Sequence, residues 1–103
     1  MNIVIFVTAK DAVEAKIISD QLLEKKLIAC ANIVEGVQSV FWWQGKIDQA
    51  KETLIILKSK RSLFKKIVKT VKAYHSYEVP EVIALPIVDG NPDYLRWIDE
   101  SVG

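Results

Sequence analysis

Apolar positions follow two different rhythms along this chain. Residues 3–7, Ile-Val-Ile-Phe-Val, form an unbroken β-branched and aromatic run. Such a run predicts a strand buried on both faces. Past Asp11 the spacing turns helical: Ala15, Ile18, Leu22 and Leu23 form a stripe, with Lys16, Asp20, Glu24 and Lys25 on the other side. An amphipathic helix follows from this, ending near Lys26 and opened by Asp11 as N-cap with Glu14 three residues on. A second strand begins at Ile28, where Ala29, Cys30 and Ala31 are small enough for close approach. Glu35-Gly36 interrupts it, and a bulge is expected at Gly36.

The centre of the pattern is residues 37–59, which read as two strands folded back on each other. The first carries Val37, Val40, Phe41, Trp42 and Trp43, and the second Leu54, Ile55, Ile56 and Leu57. Gln44-Gly45 separates them, with Gly45 supplying the positive φ of a tight turn. Successive strand side chains point to opposite faces, so Phe41 and Trp43 face one way and Trp42 the other. Neither strand has a wet face along these segments, and something must cover both sides. Residues 28–43 in one strand would span ~50 Å at ~3.3 Å per residue and overhang the domain.

Beyond the hairpin, Ser59 or Ser62 is placed to cap a helix with Leu63, Phe64, Ile67, Val68 and Val71 on its stripe. Lys65, Lys66, Lys69 and Lys72 form its solvated side. Residues 74–80 break the spacing and read as a loop. Residues 82–88 return to a strand, with Pro86 confined to an edge or bulge. Asn91-Pro92 starts a last helix that carries Tyr94, Leu95, Trp97 and Ile98. The order β-α-β-β-α-β-α is the split βαβ arrangement of an α+β, ferredoxin-like sandwich. Both paired helices then lie on one side of the sheet. The other side is apolar and only partly covered by the last helix, a pattern that predicts self-association.

Bulk properties narrow the function. The chain has 103 residues, the size of one domain spanning 1–103, and a net charge of +1. That balance speaks against a nucleic-acid partner. With one cysteine, Cys30, and one histidine, His75, it has no intrachain disulfide and no cysteine-cluster zinc site. No apolar run approaches the ~20 residues of a membrane helix, and residues 1–7 lack a signal-peptide pattern. A cytoplasmic protein with no membrane partner is expected.

Five segments together carry a family resemblance: Leu27-Ile28-Ala29-Cys30-Ala31-Asn32-Ile33, Trp42-Trp43-Gln44-Gly45-Lys46-Ile47, Ile56-Leu57-Lys58, His75-Ser76-Tyr77-Glu78-Val79-Pro80-Glu81 and Asp93-Tyr94-Leu95-Arg96-Trp97. In order and spacing the chain resembles the CutA divalent-cation-tolerance proteins over nearly its whole length. The resemblance implies a tight homotrimer with sheets packed inward around a threefold axis, an architecture shared with the PII signalling proteins. It implies a role in tolerance of copper and other divalent cations; from the residues themselves, neither catalysis nor an organic cofactor is expected. One branch of the family has proposed copper ligands: a cysteine ending the first strand and two histidines before the Tyr-x-x-Pro segment. Here Val7 stands near the cysteine position, Tyr74 replaces the first histidine, and only His75 matches.

Candidate residues follow, each beside a plainer role. Cys30 is a soft donor for copper or a small buried hydrophobe. His75 is a metal donor or proton carrier, or a cation at a helix C-terminus. Glu52 would join them in a metal site. Glu52, Lys58, His75, Tyr94 and Trp97 would line a cleft between subunits of the implied trimer, suited to a small anionic ligand, or would be a structural ion pair with aromatic packing. Phe41, Trp42 and Trp43 are expected at the trimer interface. No catalytic Ser/His/Asp or Cys/His set and no phosphate-binding glycine loop can be drawn. Two functions follow: metal binding, or PII-like sensing of a small anion or a partner protein.

Overall fold

A computed structural model describes residues 1–103. The elements are β1 (Asn2–Ala9), α1 (Ala12–Glu24), β2 (Cys30–Trp43), β3 (Lys46–Lys60), a 3-10 turn (Arg61–Leu63), α2 (Phe64–Tyr74), β4 (Val82–Pro86) and α3 (Pro92–Ser101). The strands form one antiparallel sheet in the order β2-β3-β1-β4. This is the expected α+β, ferredoxin-like architecture.

Alternation along β1 sends Ile3, Ile5, Val7 and Ala9 to one face, where they are buried. Register carries the same face onto Ser59, Leu57, Ile55 and Thr53 of β3. Against it pack Ala15, Ile18 and Leu22 of α1 and Ile67 and Val71 of α2, in one continuous core. Each large aliphatic side chain fully buried there contributes about 1.5–3 kcal/mol. The opposite face carries Val4, Phe6, Leu54 and Ile56, half-buried, and Ile83 and Leu85, 51% and 46% exposed. α3 lies across this second face: Asn2 Nδ2 donates to Asp99 at 2.9 Å, and Ile98 is fully buried outside the main core. The cover is partial, as the apolar pattern predicts.

Three local features differ from the sequence reading. Neither Ser59 nor Ser62 caps α2: β3 runs on to Lys60, Ser59 is fully buried within it and its Oγ donates to Leu27 O at 2.6 Å. The chain enters α2 through the 3-10 turn with no side-chain cap. Leu23, expected on the buried stripe of α1, is 41% exposed, while Glu14 is buried. β2 begins at Cys30 rather than Ile28, and β4 ends at Pro86 rather than residue 88.

The hairpin is as expected, and longer than the domain beneath it. Trp43 pairs with Lys46 across Gln44 (φ 49°) and Gly45 (φ 77°), both left-handed as a two-residue type I′ turn requires. A register shift between Val34 and Val37 marks the bulge at Gly36, whose φ is 76°. β1 pairs with β3 only from Asn2↔Lys60 to Ala9↔Thr53. Residues 46–52 of β3 therefore continue past the sheet, paired only with β2. This two-stranded arm helps give the molecule its 44 × 26 × 22 Å extents.

Candidate functional site

A groove of ≈ 510 Å³ lies where the arm leaves the sheet. Phe41 and Trp43 of β2, Asp48 and Glu52 of β3, Thr8 of β1, and Tyr77, Glu78, Val79 and Glu81 from the segment before β4 line it. Strand alternation places Glu52 on the same face as Asp48, which pairs with Phe41. Carboxylates and aromatic rings thus share one hollow.

Hydrogen bonds fix the groove's far wall. Tyr77 Oη donates to Glu52 Oε2 at 2.9 Å. Burial, then the bond to Glu52 and its charge, push the Tyr77 phenol up to about 12, so it stays a donor at neutral pH. The side chain of His75 is fully buried. The Tyr77 N–H donates to its Nδ1 at 3.0 Å, which requires a bare Nδ1; Nε2 therefore carries the proton and donates to Thr8 O at 2.7 Å. Glu14 completes the anchor: its Oε2 accepts from Ser76 N at 2.9 Å and its Oε1 from Lys10 N at 3.1 Å. Burial alone would raise the Glu14 pKa, but bonds from the Ser76 hydroxyl and from the Lys10 and Ser76 amides outweigh it and hold the carboxyl below its usual 4.5.

The residues expected in one cleft occupy two places within a chain. Glu52 lines the groove, and His75 stands behind it through Tyr77, ring centroids 4.7 Å apart. Six residues along β3 from Glu52, Lys58 pairs with Cys30 of β2. There the Lys58 ammonium meets the Asn32 side-chain oxygen, and Cys30 Sγ lies 3.7 Å from Tyr94 Oη. Tyr94 packs against Trp97, centroids 5.4 Å apart and ring planes tilted by 38°. Burial, then the contact with Cys30, raise the Tyr94 phenol. Cys30, Glu52 and His75 do not meet, and no three His, Cys, Asp or Glu side chains in the chain group to hold a metal ion. Both ring nitrogens of His75 are already hydrogen-bonded. Phe41, Trp42 and Trp43 stand on the arm, Trp42 74% exposed on the side away from the groove.

The sequence reading named Glu52 but missed Tyr77, Asp48 and Glu81 as its neighbours. Hairpin register and the period of two would have found Asp48. Nothing local announces Tyr77, which reaches Glu52 across 25 positions of chain.

Comparison with known proteins agrees with the fold. The family model described as CutA1 divalent ion tolerance protein matches residues 3–101. The divalent-cation tolerance protein CutA of Thermus thermophilus is 41% identical over 103 residues, covering 100% of both chains, and a solved structure of the Thermus thermophilus protein superposes with a TM-score of 0.98. The protein of the same name from Archaeoglobus fulgidus is 45% identical over 102 residues, 99% of each chain. The chloroplastic CutA 1 of Oryza sativa is 45% identical over 100 residues, 97% of this chain; the chain spans 56% of that relative's length. A CutA1 structure from the same plant gives a TM-score of 0.96 at 44% identity, covering 99% of this chain and 94% of that one. No helix of the chain is long and apolar enough to cross a membrane. The chain belongs to the CutA1 divalent ion tolerance family.

Proposed function

We propose that the protein is a homotrimer that binds divalent cations, copper(II) among them, and serves in metal tolerance rather than catalysis. One observation carries the reading: an apolar sheet face with a carboxylate-lined hollow at its end is left open by the chain's own helices. Sister chains packed against that face would bury Phe41, Trp42 and Trp43 and enclose Glu52. A hard or borderline cation suits carboxylate oxygens, and Glu52 is the first donor of this reading. One chain does not group enough donors, so the rest come from a neighbour, with Cys30 a soft donor. His75 can join only by releasing Thr8 or Tyr77.

Titration calorimetry with copper(II) tests this on the whole chain. Binding is expected to weaken about tenfold in Glu52→Ala. Equal affinity in Glu52→Ala, or no heat with wild type, overturns it. Ultracentrifugation tests the assembly: a lone chain at micromolar concentration would remove the cleft altogether. The reading places the protein in the cytoplasm, which cell fractionation checks; three relatives carry "chloroplastic" or "periplasmic" in their names.

A second reading has its own support. Lys58, with Asn32 beside it and the Tyr94–Trp97 pair of α3 nearby, offers a cation and aromatic walls on the partly covered face. A PII-like sensor would hold a small anionic ligand, or a partner protein, in an intersubunit cleft there. A metabolite thermal-shift screen decides: a ligand that stabilises wild type and not Lys58→Ala supports it, and none doing so removes it.

A further inference from the structure

The groove beside the arm holds more negative charge than the chain's own contacts use. Four carboxylates line it, Asp48, Glu52, Glu78 and Glu81, and none of the chain's 14 lysines and arginines does. The whole chain has a net charge of +1, so this charge is local to the hollow. Glu52 is only 9% exposed, yet its one side-chain hydrogen bond is from the Tyr77 hydroxyl to Oε2. Its Oε1 has no partner in the chain and opens onto the hollow. A carboxylate placed so deeply normally has both oxygens met.

The carboxylates are spread rather than convergent. Asp48 and Glu52 share one face of β3 four residues apart, so their Cα atoms stand ~13 Å from each other. Only Ala50, small and uncharged, lies between them on that face. No three acidic side chains of the chain group as a metal ion needs. The space between the charges is lined by rings: Phe41 pairs directly with Asp48, and Trp43 and Tyr77 complete the lining. Ring faces attract cations and bed methylene chains. At ≈ 510 Å³ the hollow has the size of a small-molecule site.

We propose that this groove binds a linear polyamine, several ammonium groups carried on one methylene chain. Its N–H groups donate to carboxylates at separate points of the hollow, Glu52 Oε1 among them, and its methylenes lie along Phe41, Trp43 and Tyr77. Alkyl amines keep their protons at neutral pH, as lysine does with a pKa of about 10.4. A flexible chain reaches carboxylates that no single ion touches together. The inference rests on the reading that this hollow takes cations and names an organic class beside the metal ions. The groove belongs to one chain, so the inference does not depend on the trimer; sister chains that enclosed Glu52 would exclude water and strengthen each charge pair.

Titration calorimetry of the whole chain with spermidine at low salt tests it. Affinity is expected to fall about tenfold in Asp48→Asn and in Glu52→Gln, each of which removes one charge-assisted bond. Glu24→Gln, at an exposed acid of α1 outside the groove, is expected to leave it unchanged. 1,2-Diaminoethane, too short to span the carboxylates, and tetramethylammonium, a cation with no N–H to donate, are each expected to bind about tenfold or more weakly than spermidine. No heat with spermidine, equal affinity in Asp48→Asn, or tetramethylammonium binding as tightly as spermidine overturns the proposal. Copper(II) binding without spermidine binding overturns this inference and leaves the metal reading standing. Spermidine binding without copper(II) binding supports the inference and removes the metal reading.

Discussion

Glu14 is a carboxylate spent on backbone. It receives the amides of Lys10 and Ser76 while the Asp11 side chain caps the Glu14 amide at 2.8 Å. Glu14→Ala would strand two donors beside a buried ring and is expected to cost about 2 kcal/mol in denaturant unfolding. Because the folded carboxyl sits below 4.5, its contribution is complete above that pH and drains away as pH falls through the lower folded value. The stability gap between wild type and Glu14→Gln is therefore expected to shrink in acid; a gap that widens there would contradict the assigned hydrogen bonds. Tyr77→Phe removes the donor to Glu52 and is expected to cost about 1 kcal/mol, with one phenol fewer titrating near pH 12 by ultraviolet difference absorbance. Neither role was visible in the sequence. Asp11 and Glu14 announce a helix start, but the partner that buries Glu14 lies 62 positions away. A helical stripe therefore favoured Leu23 over a charged residue.

Among the elements, strands and their turn were legible because alternation and glycine placement are local. The bulge at Gly36 and the Gln44-Gly45 turn both stand where pattern placed them. Gly45→Ala would force a Cβ into a left-handed backbone with nothing within 4 Å to clash, so the cost is conformational, about 1 kcal/mol. Gln44→Asn, at a φ of 49°, is expected to stabilise by about 0.5 kcal/mol in thermal melts. The entry to α2 was not legible: Ser59 and Ser62 are both good caps by type, and only the inward face of β3 reveals that Ser59 is needed against Leu27 O. The order of strands was readable from the split βαβ pattern, whereas the groove depends on where β1 stops relative to β3, a length difference no periodicity reports.

For the whole molecule, α3 decides how much of the second face remains open. Ile98 is its one fully buried anchor. Ile98→Ala is expected to cost about 2–4 kcal/mol and to loosen α3 from the sheet. Tyr94 would then leave Cys30, and the thiol should react faster with a disulfide reagent; an unchanged rate would show that α3 is held by other contacts.

The chain has a single imidazole, and its two nitrogens are held in unlike roles by Thr8 and Tyr77. Nitrogen magnetic resonance of this ring therefore yields one pair of widely separated signals, free of overlap and needing no engineered probe. Collapse of that separation in a Tyr77→Phe variant would show that the wall beside Glu52 has swung loose.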